Sequence, residues 1–534
     1  MEHLEQRQKL SIMFAIMAAM LFAALNQTII STALPHMISD LGGIEYFSWI
    51  FTAYILAASV PAVVVGRLSD IYGRRPFILA GIAIFIFASV LCGLASGIIE
   101  LIIYRIIQGV GGGIIMATSF TAVGDLFSPR ERGRWQGFLG TSFGVASVFG
   151  PTLGGYIVDH WHWKWVFWVF IPVGIVAFVL IMILFPSVPQ KTKQKIDYTG
   201  ALLLSLCVIP LLLAATWAGQ QYAWASWEII GLLASAVIAL MLFIFVERRA
   251  SHPILPLQLF SNSVFSLSNV IVFVIGASMF GSLLYVPLYL QGVLGLSATV
   301  SGSMLMPMTL SLVAASILGG QSITRSGRYK NLAFFGLAVT AVGMYLLSTM
   351  NQETQLSVVF AYVMIVGLGL GIGMPVFNLS IQNAVDHGDL GVATATGQLF
   401  RQLGGTLGVA LMGTVMAHTM HQQLEKNLEN NFDSKQLSSL PRQVLDHMEE
   451  PQLLINPGQL AEVSLALSPD MQTLLQQLIF AMREALNSGL SNVFISGSIA
   501  MSFAVFLVLF LREIPLRDSN EKNTKTTKQK DNNQ

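Results

Sequence analysis

Two arginines stand inside long apolar runs: Arg105 in the run 101–124, and Arg401 ten residues beyond the start of the run 391–417. An ionised side chain at such a place is expensive to keep and usually serves a site. At the helical rise Arg401 lies roughly 15 Å into its run, a depth from which its charge reaches water with difficulty. Arg105 is nearer the outer end of its run, so pairing or snorkelling is open to it as well as a site role. The first run carries the polar triplet Asn26-Gln27-Thr28 and no acid. A carboxylate there would let a proton and a cation compete for one negative charge, whereas an amide does not titrate. The groups left as proton carriers stand beside the runs: Asp40 beyond the first, Asp125 at the inner end of the fourth, and His36 just after Pro35. No acids, histidines or metal ligands converge within the runs, so neither an enzyme, a metal centre nor a cofactor is expected. No repeated carbonyl filter or ring of charge suggests a channel.

These residues need long apolar elements to hold them. Of 534 residues 54% are hydrophobic and 11% charged, where a soluble chain carries about 25% charged. The formal net charge is +1, which gives no footprint for nucleic acid. Cys92 and Cys207 both fall in apolar runs and read as small hydrophobes. A spanning helix needs about 20 mostly apolar residues, and fourteen runs meet that length, the first near 10–35 and the last near 490–511. Of the 29 Lys and Arg, 22 fall on one side of this pattern and five on the other. That asymmetry puts both termini in the cytoplasm.

The expected fold is an all-α membrane protein of 14 transmembrane helices. It divides into a six-helix half over 1–186, two extra helices with cytoplasmic linkers over 187–262, and a second six-helix half over 263–511. Within the second half, 418–489 reads as an external loop, with helical periodicity around Met471–Leu486. It is either a solvated cap or a gating or partner-binding element. The tail 512–534 reads as disordered. The plasma (inner) membrane is the expected location, and the lipid bilayer the expected surroundings.

An internal echo supports the two halves. Gly66-Arg-Leu-Ser-Asp70-Ile-Tyr-Gly73-Arg74-Arg75 is answered eight spans later by Gly320-Gln-Ser-Ile-Thr324-Arg325-Ser-Gly327-Arg328. Both sequences set two glycines seven apart, with a basic residue after the second, and transporter folds are commonly built from such repeats. Glycines there let two helices enter and leave a short turn closely. Asp70 can cap or pair at a helix end of the other half, so breaking that contact would gate opening. Arg74 and Arg75 fit gating or plain anchoring at anionic headgroups. In the fifth run Gly140/Gly144 and Gly150/Gly154 are i,i+4 pairs around Pro151, suited to close helix approach. Packing and a gate between halves are both open readings. Met279, Phe280, Tyr285, Tyr289, Met304, Met306 and Phe377 are candidate cavity liners or core residues.

The Gly66–Arg75 loop resembles the loop signature of the major facilitator superfamily. Arg105-Ile-Ile-Gln108-Gly109-Val-Gly111-Gly112 resembles its fourth-span motif, and Gly140 to Gly155 its antiporter motif. Ala24 to Pro35 is similar to the first span of the fourteen-span drug:proton antiporters, and Gln398-Leu-Phe-Arg401-Gln402 has that subgroup's character. The resemblance implies a secondary transporter exporting amphiphilic drugs in exchange for protons by alternating access, a monomer acting on a small amphiphilic substrate. It implies a substrate or coupling pocket at Asn26, Gln27, Thr28, Arg105, Gln108, Gln398 and Arg401. It implies gating by Asp70, Gly73, Arg74, Arg75, Gly150, Pro151 and Gly154. One departure stands out: relatives of this kind carry Asp where this chain has Asn26. The alternative is therefore an uncoupled or potential-driven transporter of a neutral or anionic amphiphile or lipid-like metabolite.

Overall fold

The computed structural model describes residues 4–41, 46, 49–186, 197–219, 221–431 and 469–516. The tail beyond 516, the linker 187–196 and the loop 432–468 lie outside the described residues. The first half comprises α1 (Gln6–Thr28), α2 (Ile30–Leu41), α3 (Trp49–Tyr72), α4 (Arg74–Leu94), α5 (Ile98–Leu126), α6 (Pro129–His160), the single turn α7 (Trp165–Trp168) and α8 (Ile171–Leu184). The inserted pair is α9 (Tyr198–Trp217) and α10 (Trp227–Glu247). The second half comprises α11 (Ser263–Leu288), α12 (Ala298–Ser303), α13 (Met306–Ser326), α14 (Lys330–Ser348), α15 (Leu356–Asn383), α16 (Leu390–Asn431) and α17 (Pro469–Phe510).

Among the described residues, thirteen helical segments are long and apolar enough to cross a membrane. The fourteenth expected span is α6, a helix of 32 residues that fails on hydropathy and not on length. Its glycines lower its apolarity and seat neighbouring helices, Gly137 and Gly144 against α13 and Gly150 against α1, while Val145, Phe149 and Tyr156 remain exposed. Large apolar side chains such as Phe87, Ile183, Met241, Leu318 and Phe503 are exposed on the outside of the bundle. They match a hydrocarbon surround, in which a helix needs no polar outer face.

Two helices overrun their expected spans. α16 continues to Asn431 and α17 begins at Pro469, so the ends of the 418–489 segment are helix, not loop. Met420 and Leu424 are buried with Leu475, Leu478 and Met482, and Asn427 Nδ2 donates to Glu484 Oε2 at 3.2 Å. The helical periodicity around Met471–Leu486 therefore serves an antiparallel extension of the bundle. At the other end, Glu513 accepts from the backbone N–H of Tyr329 and Lys330 at 2.8 and 3.2 Å. The first residues of the segment read as a disordered tail are thus docked under the second half.

The halves meet along two seams at the end of the bundle that carries the basic loops, here termed the basic face. One seam is α3 against α16; the other is α6 against α13. Each crosses at a pair of glycines. A Cβ on Gly66 would come within 2.7 Å of the Gly391 carbonyl, and a Cβ on Gly133 within 3.3 Å of the Gly320 carbonyl. The second glycine of each repeat makes the turn, with φ of 88° at Gly73 and 67° at Gly327, backbone that favours glycine. The seven-residue spacing thus has one physical explanation in both halves. Glycine one seats the other half, and glycine two reverses the chain. The inserted pair packs its α9 against α3 and α16. Leu204, Val208 and Leu212 share an apolar cluster there with Val63, Val392 and Leu399.

Candidate functional site

Arg105 lies seven residues past the start of α5 and is 0% exposed. It does not snorkel. Its Nε donates to the Ile50 carbonyl at 3.2 Å, and its Nη1 to Gln108 Oε1 at 2.5 Å. The guanidinium sits 4.3 Å from the centre of the Tyr54 ring, where a cation is attracted to the π face. Its Nη2 is buried with no hydrogen-bond partner. Gln108 passes the network on, its Nε2 donating to Ser89 Oγ at 2.7 Å and to Asn26 Oδ1 at 3.4 Å. Asn26 Nδ2 donates to the Phe22 carbonyl at 3.2 Å. Three of the expected pocket residues, Asn26, Gln108 and Arg105, therefore form one buried chain, in which the Arg105 cation has neutral hydrogen-bond partners.

Thr28 serves a different purpose. Its hydroxyl donates to the Ala146 carbonyl of α6 at 2.9 Å, beside the break between α1 and α2. Gly150 faces that same point, since its Cβ would come within 2.9 Å of Thr28 Cβ. Gly150 therefore packs inside its own half and does not lie between the halves. The α6 glycines that meet α13 are Gly133, Gly137, Gly140 and Gly144. Gly154 is buried in α6, and the side chain of Pro151 lies outside the described residues. Gln27 is partly exposed beside Asn26.

Across the interface, α16 offers Gln398, Arg401, Gln402 and Gly405 at helical spacing along one face. Gln398 Nε2 donates to the Met116 carbonyl at 3.3 Å and Gln402 Nε2 to the Ile55 carbonyl at 3.1 Å, both in the first half. Arg401 lies between them in the sequence and is partly exposed. Among the described residues no ion pair to its guanidinium is found. Of the candidate cavity liners, Tyr285, Tyr289 and Phe377 are core residues, and the two tyrosine hydroxyls donate to the carbonyls of Val409 and Asn351. Met279, Phe280, Met304 and Met306 are partly exposed.

At the basic face the charges concentrate on one seam. Asp70 accepts from the backbone N–H of Gly391 and Val392 at 2.8 and 3.0 Å, capping the first turn of α16, where anions are favoured. Arg74 pairs with Asp70, donates to Ser69 Oγ at 2.7 Å and reaches Asp125 Oδ2 at 2.9 Å. Arg67 bridges to Asp389 at 2.7 Å, and His387 faces Asp125 at 3.4 Å. Arg75 points away from the seam, donating to the Met182 carbonyl of α8. The α6–α13 seam has the opposite polarity. Arg130 donates to the carbonyls of Thr324 and Arg325 at the C-terminus of α13, at 2.9 and 3.2 Å, where a cation suits the helix dipole.

The three expected proton carriers are not together. Asp125 belongs to the basic-face network, while Asp40 is at the opposite end, accepting from Trp163 Nε1 at 2.8 Å and 3.5 Å from His162 Nε2. His36 is exposed on α2. A residue that the sequence did not single out is Glu247, at the end of α10. It is 4% exposed, because the chain after α10 folds back so that Ile254 and Leu255 donate to it at 3.1 and 3.3 Å.

The family model described as Major Facilitator Superfamily matches residues 16–409. The chain is 37% identical over 525 residues to the multidrug transporter protein MdtP of Bacillus subtilis, covering 97% of this chain and 95% of that one. It is 32% identical to multidrug resistance protein 3 of the same organism, with 96% of each covered. Among solved structures, the human organic anion transporter MFSD10 aligns with a TM-score of 0.61 at 14% identity, over 94% of this chain and 99% of that one. The proton:xylose symporter XylE aligns at 0.62 and 13%, over 97% and 99%. Those two likenesses concern the fold alone. With the glycine seams and these relatives in view, the chain is a transporter and belongs to the Major Facilitator Superfamily.

Proposed function

We propose that the chain exports small amphiphilic compounds across the plasma (inner) membrane by alternating access, as a monomer with both termini in the cytoplasm. With the basic face inside, the described state is closed to the cytoplasm, and substrate leaves on the far side. The observation that carries this reading is the polar seam at the basic face: Asp70 on the first turn of α16, and Arg67 on Asp389. These contacts join the halves without embedding one in the other, so they can be broken and remade. The multidrug relatives support the amphiphilic substrate class. Exchange for protons would draw on Asp40, Asp125 or His36.

A second reading of the coupling has its own support. Asn26 is hydrogen-bonded within a chain of neutral partners, and Arg105 and Arg401 bring positive charge without a carboxylate beside them. Neutral or anionic amphiphiles then fit the interface better than strong cations, driven by their own gradient or by the membrane potential. Under this reading Arg401→Gln lowers export of an anionic amphiphile by about tenfold or more, the scale of one lost charge-assisted hydrogen bond. Export of a cationic dye stays the same or rises. Equal export of the cationic dye by both proteins, with no loss on the anionic one, counts against it. Asn26→Asp keeps the acceptor for Gln108 and adds a titratable group. Export by that variant becomes dependent on an imposed pH gradient where the parent's export is not, measured in liposomes with a lumenal pH dye.

A further inference from the structure

The base of the inserted pair carries two carboxylates that the transport reading does not use. Asp197 caps α9, its Oδ1 accepting from Gly200 N at 2.9 Å. Glu247 ends α10, and its Oε1 accepts from Ile254 and Leu255. The two acids are neighbours across Gly200: the position a Cβ there would take lies 2.8 Å from Glu247 Oε1 and 2.9 Å from Asp197 Oδ2. Each acid also has one oxygen, Asp197 Oδ2 and Glu247 Oε2, that is buried with no hydrogen-bond partner. Two neighbouring acids that each keep an orphaned buried oxygen are a costly arrangement for a fold to hold. A proton held by the pair removes one charge and supplies a missing donor.

Other charges face this pair. Arg67 of α3 acts electrostatically on Glu247. Its Nη1 is engaged by Asp389 of the second half, yet its Nε is buried without a partner. Arg249 and His252 line, with Asp197, Thr199 and Phe245, a cavity of about 380 Å³ at the basic face. That cavity gives the pair a route to water through Asp197. The linker held by Glu247 buries Ile254 and Leu255 in the cluster that contains Val392 and Leu399 of α16. The site therefore sits against the α3–α16 seam.

We propose that Asp197 and Glu247 form a proton-sharing carboxyl pair that competes with Asp389 for Arg67. With the proton bound, the pair carries one negative charge and Arg67 stays on Asp389, holding the seam shut. Once the proton returns to water, the pair carries two charges and draws Arg67 off the seam. The effect on exchange rests on the transport reading above; the existence of the proton site does not.

The test is an infrared pH titration of the full-length reconstituted protein between about pH 8 and about pH 5, where ordinary exposed carboxyls are ionised over most of the range. A protonated-carboxyl absorption titrating in this window is expected in the parent. It is lost in both Glu247→Gln and Asp197→Asn. Arg67→Gln moves the midpoint up by about one pH unit, a tenfold gain in proton affinity, because a neighbouring positive charge is gone. Asp389→Asn moves it down, because Arg67 is freed for the pair. These opposite shifts need only the surface-seam variants, so they remain readable if the carboxyl variants fail to fold. No such absorption, no shift in either seam variant, or its abolition at constant pH by sodium or potassium overturns the proposal. A normal titration in a protein that moves no substrate supports the proton site and contradicts the transport reading instead.

Discussion

Asp70→Asn is expected to reduce transport by about ten- to a hundredfold while leaving the protein folded. The carboxylate side chain is 1% exposed and makes three contacts at once: two to backbone N–H groups of α16 and one to the Arg74 guanidinium. An amide offers one oxygen and no charge, and its NH2 group meets Arg74 unfavourably. Losing charge-assisted bonds of this kind costs about 1.5–3 kcal/mol, or roughly ten- to a hundredfold in the balance of the two states. The loss falls on the state closed at the basic face, because only there does α16 present its first turn to α3. Two readouts separate this from misfolding. Thermal stability changes little, whereas a cysteine introduced on α16 near Gly391 becomes reactive from the basic side. Unchanged reactivity with lost transport would contradict a gating role. The turn next to it is equally constrained, since Gly73 takes a φ of 88° and forms the whole link between α3 and α4.

Arg105→Ala is expected to abolish transport, by at least about a hundredfold, and Arg105→Lys to rescue little of it. The arginine holds two elements with one side chain, through the Ile50 carbonyl of α3 and Gln108 of its own helix, with Tyr54 stacked on its face. Removing it leaves Gln108 Oε1 with only the Cys92 thiol at 4.0 Å, a loss of about 1–3 kcal/mol, and takes from the Ile50 carbonyl the bond that ties α5 to α3. It also frees Gln108 to turn away from Asn26 and Ser89. A lysine ammonium has no planar fork with which to reach both acceptors and lie along the tyrosine ring. The loss therefore appears in maximal flux rather than only in apparent substrate affinity. Flux near parental levels in Arg105→Lys would show that charge alone matters at this position and that the network does not.

Much of this arrangement was legible in the sequence because it depends on spacing. The paired glycines seven apart in each half mark a seat and a turn, and both halves use them so. The run that becomes α6 was recognisable by its length between charged ends, although its glycines leave it short on hydropathy. What spacing alone hides is the direction of a side chain around its helix. Arg105 stands near a span end, which leaves snorkelling open, yet α5 turns it inward onto Tyr54. Gly150 was read together with the other α6 glycines, but the steps from Gly133 to Gly137 and Gly144 keep one helical face, while six further residues rotate about 120° away from it. That rotation aims Gly150 at Thr28 instead of α13. Glu247 was missed because burial came from the fold-back of Ile254 and Leu255, which no local pattern announces. The tyrosines 285 and 289 were ambiguous for a related reason: an aromatic on a span looks the same whether it faces a cavity or a carbonyl.

Alternating access is tested most directly by exchange. The purified protein is placed in liposomes loaded with an amphiphilic substrate, and efflux is followed with and without the same compound outside. A carrier whose halves close in turn predicts saturable efflux that speeds up when substrate is present on both sides, and that falls with Asp70→Asn. Efflux that rises without saturation, ignores outside substrate and runs as an ohmic current would contradict the carrier mechanism and everything built on the seam.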